Sequence, residues 1–318
     1  MIGAVRGYTL ITARAGRLAV ALALQTKKFI NSEHIGGYAT ILLPGFPDKT
    51  GAATPEETRI HYLEAGVGEP LLLLHTVGQN LYTWRNAFSA LAEHYRVIAI
   101  DLLGHGYSGR PEQFDYSIAE QSDALALFMD AKGIESAHIA AFSMGALYAL
   151  DFIIKRPERV GKTVLLSPGG VTSEMPLSVR MLQSPIFGGI ACRLYNRRTA
   201  EKLLSECFFD LTNLSDDVVD QYYVTASDPL SRKAIQLSIL NFDEQEVERA
   251  LRTVNTSVLI LWGGEDKWHN PESSELYHAI MQNAQFSVIR NAGHLLHEEK
   301  ALRFVDAILE YIPAPADI

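Results

Sequence analysis

The pentapeptide Ala141-Phe142-Ser143-Met144-Gly145 constrains this chain more than any other stretch, because of what flanks it. Before it runs Ala137-His138-Ile139-Ala140-Ala141-Phe142, a short apolar segment of β type. After it, Ala146–Ile154 has helical patterning that ends ahead of Pro157. Small residues around a serine at a strand-to-helix junction permit a sharp turn, a nucleophile elbow, which lifts the hydroxyl clear of the backbone. The turn also sets the hydroxyl at a helix N-terminus, where free N–H groups favour developing negative charge. The usual form is Gly-x-Ser-x-Gly, and Ala141 stands in the first glycine position. Alanine is still small enough for tight strand–helix packing. Taken alone, so short a pattern fits a structural serine in a βα turn better than a reactive one.

The rest of the chain reverses that reading. A nucleophilic serine needs a base, and the base needs an orienting acid. Downstream, Ser257–Trp262 reads as a buried strand that ends in Gly263-Gly264-Glu265-Asp266. Phe286–Ile289 reads as another strand, followed by Asn291-Ala292-Gly293-His294. Both polar residues therefore follow the C-terminal ends of strands, the edge where open α/β sheets build sites. Singly, Asp266 is a turn residue and His294 a loop histidine. In this order they form a triad with Ser143 as nucleophile, His294 as base and Asp266 as orienting acid, Glu265 being the alternative acid.

Strand and helix patterns alternate from Arg59 onward, which predicts a parallel sheet with helices on both faces. Tyr38–Leu43 and Arg59–Leu63 read as two earlier, antiparallel strands, with a turn-rich connection over Pro44–Pro55. The alternation breaks between residues 171 and 254, where Thr199–Phe208, Asp216–Thr225 and Ser231–Leu240 are helical in pattern. The expected division is a basic extension over 1–36, an α/β core over 37–170 and 255–318, and a helical insertion over 171–254.

These segments together resemble the α/β-hydrolase superfamily over about residues 58–312. Leu71-Leu72-Leu73-Leu74-His75 is similar to the family's strand leading into the oxyanion loop. Val97–Asp101 followed by Leu102-Leu103-Gly104-His105-Gly106-Tyr107-Ser108 resembles its Asp-x-x-Gly-x-Gly-x-Ser loop. Trp84-Arg85-Asn86 and Gly293-His294 with Glu298-Glu299 match as well. The resemblance implies a serine hydrolase acting on a small-molecule ester, with residues 171–254 as a cap over the site. Leu182, Phe187, Ile190, Leu194, Tyr222 and Tyr223 are then either pocket lining or cap core. It implies an oxyanion hole from the Met144 N–H and the Val77 N–H, and Gly264-Glu265-Asp266 matches the family's Gly-x-Asp.

One position departs from the pattern. Thr76 stands where glycine usually follows the loop histidine, and its hydroxyl is placed to meet the substrate oxygen or to pack against the cap. Threonine there resembles the plant hydroxynitrile lyases, but those carry lysine after the triad histidine, and here it is Leu295. Ser167-Pro168-Gly169-Gly170 and the capped layout resemble meta-cleavage C–C hydrolases, whose Gly-rich oxyanion loop and aromatic residue after the histidine are absent. Dehalogenases and epoxide hydrolases use an aspartate nucleophile, which Ser143 argues against. A non-catalytic member that keeps the fold is the remaining alternative.

Composition bounds the partners. The net charge of −9 and the lack of a basic motif argue against nucleic acid. His75, His105, His269, His278 and His297 have no metal-ligand spacing, so no metal or organic cofactor is expected. Cys192 and Cys207 lie fifteen residues apart. On one continuous helix that is about 22 Å of rise, beyond disulfide reach, so two reduced thiols and a cytoplasmic setting are expected. Residues 1–32 carry Arg6, Arg14, Arg17, Lys27 and Lys28 with no acidic residue, and Leu18–Leu24 is apolar. The apolar run falls short of the about 20 residues needed to span a bilayer. A basic amphipathic helix making peripheral membrane contact is one reading of this segment. A helix packed on the core or a disordered extension is the plainer one.

Overall fold

The computed structural model describes residues 35–45, 54–169, 183–243, 251–254, 256–281 and 283–313. The basic segment 1–32 and Leu182 lie outside these residues. Eight strands form one sheet in the order β1-β2-β4-β3-β5-β6-β7-β8. They are β1 Gly37–Leu43, β2 Glu56–Ala65, β3 Pro70–Leu74, β4 Arg96–Ile100, β5 Ala137–Phe142, β6 Val160–Leu166, β7 Val258–Gly263 and β8 Ala284–Ile289. β1 and β2 are antiparallel to each other, β2 is antiparallel to β4, and the remaining pairs are parallel.

The unbroken apolar runs of the central strands follow from burial on both faces. Leu72, Leu74, Ile139, Ala141, Leu165 and Ile260 face one core. Leu71, Leu73, Ala140, Phe142, Val164 and Leu261 face the other. Side chains alternate between the two because Cβ atoms alternate along a strand. Leu71–Leu74 are all fully buried. Each such leucine contributes about 1.5–3 kcal/mol, against about 0–1 kcal/mol for an exposed ion pair. The sheet's two packed faces therefore hold the strand ends in place, and surface ion pairs add little.

The helices are α1 Phe88–Leu91, α2 Ile118–Ala131, α3 Met144–Lys155, α4 Pro185–Leu194, α5 Arg197–Cys207, α6 Asp216–Ala226, α7 Pro229–Leu240, α8 Ser273–Ile280, α9 Leu296–Glu299 and α10 Ala301–Tyr311. Helices α4 to α7 interrupt the strand succession between β6 and β7. Ser184, Asn196, Ser215 and Asp228 each cap one of them by accepting a backbone N–H. Asn196 starts α5 two residues after α4 ends, so Cys192 and Cys207 sit on separate helices, and both thiols are free. Phe187, Ile190 and Leu194 are not cap core. They are 59%, 50% and 68% exposed, on the outer face of α4.

Candidate active site

Strand β5 delivers Phe142 into the core, and the chain then reverses into α3 at Ser143. Its backbone has φ 53° and ψ −117°, a conformation that costs a non-glycine residue about 1–3 kcal/mol. The Ser143 N–H donates to the Leu166 carbonyl at 2.9 Å, which pins the turn to β6. Gly145 is required by close approach: a Cβ there would stand 2.2 Å from the His75 carbonyl oxygen. Ala141 needs no such space, because its methyl packs fully buried in the core.

The other two predicted side chains converge on Ser143. His294 Nε2 lies 3.1 Å from Ser143 Oγ. His294 Nδ1 lies 2.8 Å from Asp266 Oδ2. The second Asp266 oxygen accepts the Trp268 N–H at 2.8 Å and the His269 N–H at 3.0 Å. Burial pushes the Asp266 carboxyl up, but His294 beside it and the His269 N–H outweigh this and hold it below the ordinary carboxylate range. Glu265 is turned away, and its Oε2 accepts the Ala292 N–H at 3.0 Å. The loops of β7 and β8 meet closely because Gly263 has no side chain; a Cβ there would lie 2.0 Å from the Gly293 carbonyl oxygen.

The loop after β3 faces the elbow. Thr76 Oγ1 accepts the Met144 N–H at 3.1 Å. His75 organises this loop. The Leu102 N–H donates to His75 Nε2 at 3.0 Å, so the ring proton is on Nδ1, which donates to the Thr76 carbonyl at 2.7 Å. Burial lowers the His75 pKa and keeps the ring neutral. The Thr76 carbonyl also accepts the Gln79 N–H at 3.2 Å. Because the peptide unit is planar and trans, holding the Thr76 carbonyl fixes the Val77 N–H in the opposite direction. His75 thus orients Val77, a role that sequence alone does not assign to it, although its place directly before Thr76 was the available signal.

Three more side chains pack around His294 in roles that the sequence does not show. His269 stacks flat on His294, with centroids 4.9 Å apart and planes 7° apart, and Trp268 stacks at 6.1 Å and 19°. Burial and the neighbouring His294 push His269 down to about 3, so it stays neutral. Phe142 packs on His294 at 4.7 Å. Their only sequence signal was position, within three residues of Asp266 or beside Ser143.

The histidine loop is strapped to the helical insertion. Glu299 accepts the Gly293 N–H at 2.6 Å and the Phe209 and Asp210 N–H groups at 3.0 and 2.8 Å. Buried Glu298 pairs with Arg85 at 2.5 Å, accepts the Thr83 hydroxyl at 2.9 Å, and accepts the Tyr222 hydroxyl from α6. Tyr222 is therefore insertion core that holds the loop. The described residues contain no group of three or more side chains suited to a metal ion.

The arrangement can pass a proton from a serine hydroxyl through an imidazole to a leaving group. Its match to known proteins is broad. The family model for the α/β hydrolase fold matches residues 69–301. An uncharacterized Mycobacterium tuberculosis protein is 27% identical over 266 residues, 78% of this chain and 76% of its own. The 2-hydroxy-6-oxo-6-phenylhexa-2,4-dienoate hydrolase of Burkholderia cepacia is 27% identical over 266 residues, 80% of this chain and 91% of its own. Among solved structures, the meta-cleavage product hydrolase CumD of Pseudomonas fluorescens is 25% identical with a TM-score of 0.68, covering 80% of this chain and 94% of its own.

Proposed function

This chain belongs to the α/β hydrolase fold family, and on that premise we propose that it is a serine hydrolase that cleaves a carboxylic ester of a small to medium, largely apolar molecule. The observation that carries this reading is the continuous relay from Ser143 Oγ through His294 to Asp266, at 3.1 and 2.8 Å, on a strained turn. Ser143 Oγ attacks the ester carbonyl carbon while His294 Nε2 takes its proton. Asp266 holds the imidazole with its proton on Nδ1 and stabilises the imidazolium. The oxyanion takes the Val77 N–H and draws the Met144 N–H away from Thr76 Oγ1, to which it donates in the resting site. The Thr76 hydroxyl, which accepts from Met144, has its own proton to add as a third donor. Collapse expels the alkoxide, which His294 protonates. Water then attacks the acyl-enzyme, giving the carboxylic acid and restoring Ser143.

The partly exposed ring of Trp268 beside His294 supports an apolar substrate. The free thiols Cys192 and Cys207 support a cytoplasmic setting. No described helix is long and apolar enough to cross a membrane.

A second reading has a specific observation behind it: several of the similar proteins are named as hydrolases of dienoate meta-cleavage products, a C–C bond cleavage. The same relay serves that reaction with a carbon leaving group. Those substrates are carboxylates, however, and buried Arg85 beside the histidine loop is already bound by Glu298. The deciding experiment assays p-nitrophenyl esters from acetate to palmitate beside a 2-hydroxy-6-oxo-dienoate. Ester turnover well above dienoate cleavage is expected. The reverse ranking replaces the ester reading with the C–C one.

A further inference from the structure

We infer that the outer face of α4 is a docking surface for an anionic lipid bilayer. Phe187, Ile190 and Leu194 recur at helical spacing, so they share one face, and all three are at least half exposed. The opposite side of α4 packs on α7. Arg232 of α7 reaches the C-terminal end of α4, donating to the Cys192 and Arg193 carbonyls at 3.2 and 3.4 Å. The apolar stripe is thus held on a packed helix, facing outward.

Charge identifies the occupant. The described residues 183–200 contain Arg193, Arg197 and Arg198 and no acidic residue, in a chain whose net charge is −9. Arg197 is taken up by Asp216, Asp220 and Glu201. Arg193 and Arg198 are exposed and make no ion pair among the described residues. An apolar stripe with Arg193 on the same helix and Arg198 at the start of the next is the composition that seats a helix in the interface of an anionic membrane. A second copy fits poorly, since a two-fold contact sets the same patch against itself and would oppose these arginines. A soluble polyanion would leave the three apolar side chains in water. Residues 1–32, with five basic and no acidic side chains, carry the same charge signal. The cytoplasmic leaflet, with its negative surface potential, has the matching chemistry. Docking there would bring the helical insertion, and the ester site it is strapped to, against a source of apolar substrate. The surface itself does not depend on the catalytic assignment.

The test is co-sedimentation of the full chain with vesicles of phosphatidylcholine alone, or with about one-third phosphatidylglycerol, at low and high salt. Binding to the anionic vesicles only, weakened by salt, is expected. The double variant Phe187→Asp, Leu194→Asp should lower the partition at least about tenfold. Arg193→Glu should lower it about fivefold or more, since one basic residue near such a surface is worth about that factor. Turnover of soluble p-nitrophenyl acetate and the melting temperature serve as controls, so failure to bind lipid is separable from failure of the ester reading. Lack of wild-type binding overturns the proposal. So does equal binding by the double variant, which would leave residues 1–32 as the contact. A wild-type dimer that the double variant converts to monomer in sedimentation velocity would assign the face to a second copy instead.

Discussion

The hydroxyl of Thr76 sits on the backbone N–H of Met144, at 3.1 Å. The residue that replaces the usual glycine of this loop therefore touches a proposed oxyanion donor directly. A lost side-chain donor aimed at an oxyanion costs up to ~10²–10³ in turnover. Two backbone donors remain without the hydroxyl, so Thr76→Gly should lose roughly tenfold by the same reasoning. Thr76→Ser should retain most activity. Assays of wild type and Thr76→Gly on a p-nitrophenyl ester and on mandelonitrile check this. Fast cleavage of mandelonitrile by the wild type, lost in the glycine variant, would favour a lyase.

The two neighbouring carboxylates give a sharper contrast. Asp266 meets His294, while Glu265 meets only backbone N–H of Ala292. Asp266→Asn should lower kcat by about 10⁴, because the amide holds the wrong tautomer. Glu265→Gln keeps an acceptor for Ala292 and should stay within a fewfold of wild type. Equal losses would mean that the acid has been misassigned.

Buried histidines should make the fold acid-sensitive well above the carboxylate range. His269 and His105 are both pushed down to about 3 from an ordinary 6.5. Burial comes first in each; His294 adds to it at His269, and His75 and Arg110 add to it at His105, against opposing pulls from Asp266 and Asp101. The unfolded chain therefore binds protons below about pH 6.5 that the folded chain refuses, and stability falls as pH drops from there toward 3. Each ring contributes about 1.4 kcal/mol per pH unit in that window. Asp101 and Asp266, whose pKa values are lowered, act in the same direction but only below about pH 4. Urea midpoints between pH 7 and 4.5 should fall steadily, and His269→Phe should reduce the slope by about one proton. A flat profile above pH 5 would contradict this.

The strap on the histidine loop gives a stability prediction. Glu298→Gln leaves Arg85 buried without its anion and should cost about 3–5 kcal/mol. Thermal denaturation reads this out; a loss under about 1 kcal/mol would make the pair incidental.

Much of this was legible in the sequence, for identifiable reasons. The runs 71–74, 97–100, 139–142 and 258–262 read as strands because both sheet faces are buried and no polar residue intervenes. Ser143 and Asp266 could be named because each follows such a run, and His294 because it follows the shorter, partly exposed strand 286–289. His75 and His269 could not, since their roles depend on partners such as Leu102 and His294 that only the fold brings near. Patterning also shows that α4 has an apolar face, but not what that face meets. Phe187, Ile190 and Leu194 therefore read as either pocket lining or cap core, and they are at least half exposed.

The central claim is that Ser143 is a nucleophile activated by His294. Intact-mass spectrometry after treatment with a fluorophosphonate, followed by peptide mapping, tests it most directly. The account predicts one adduct per chain, on Ser143, absent in a folded Ser143→Ala variant whose ester turnover is lower by on the order of 10³ or more. An unlabelled wild type, or a Ser143→Ala variant within tenfold of wild-type turnover, would contradict it.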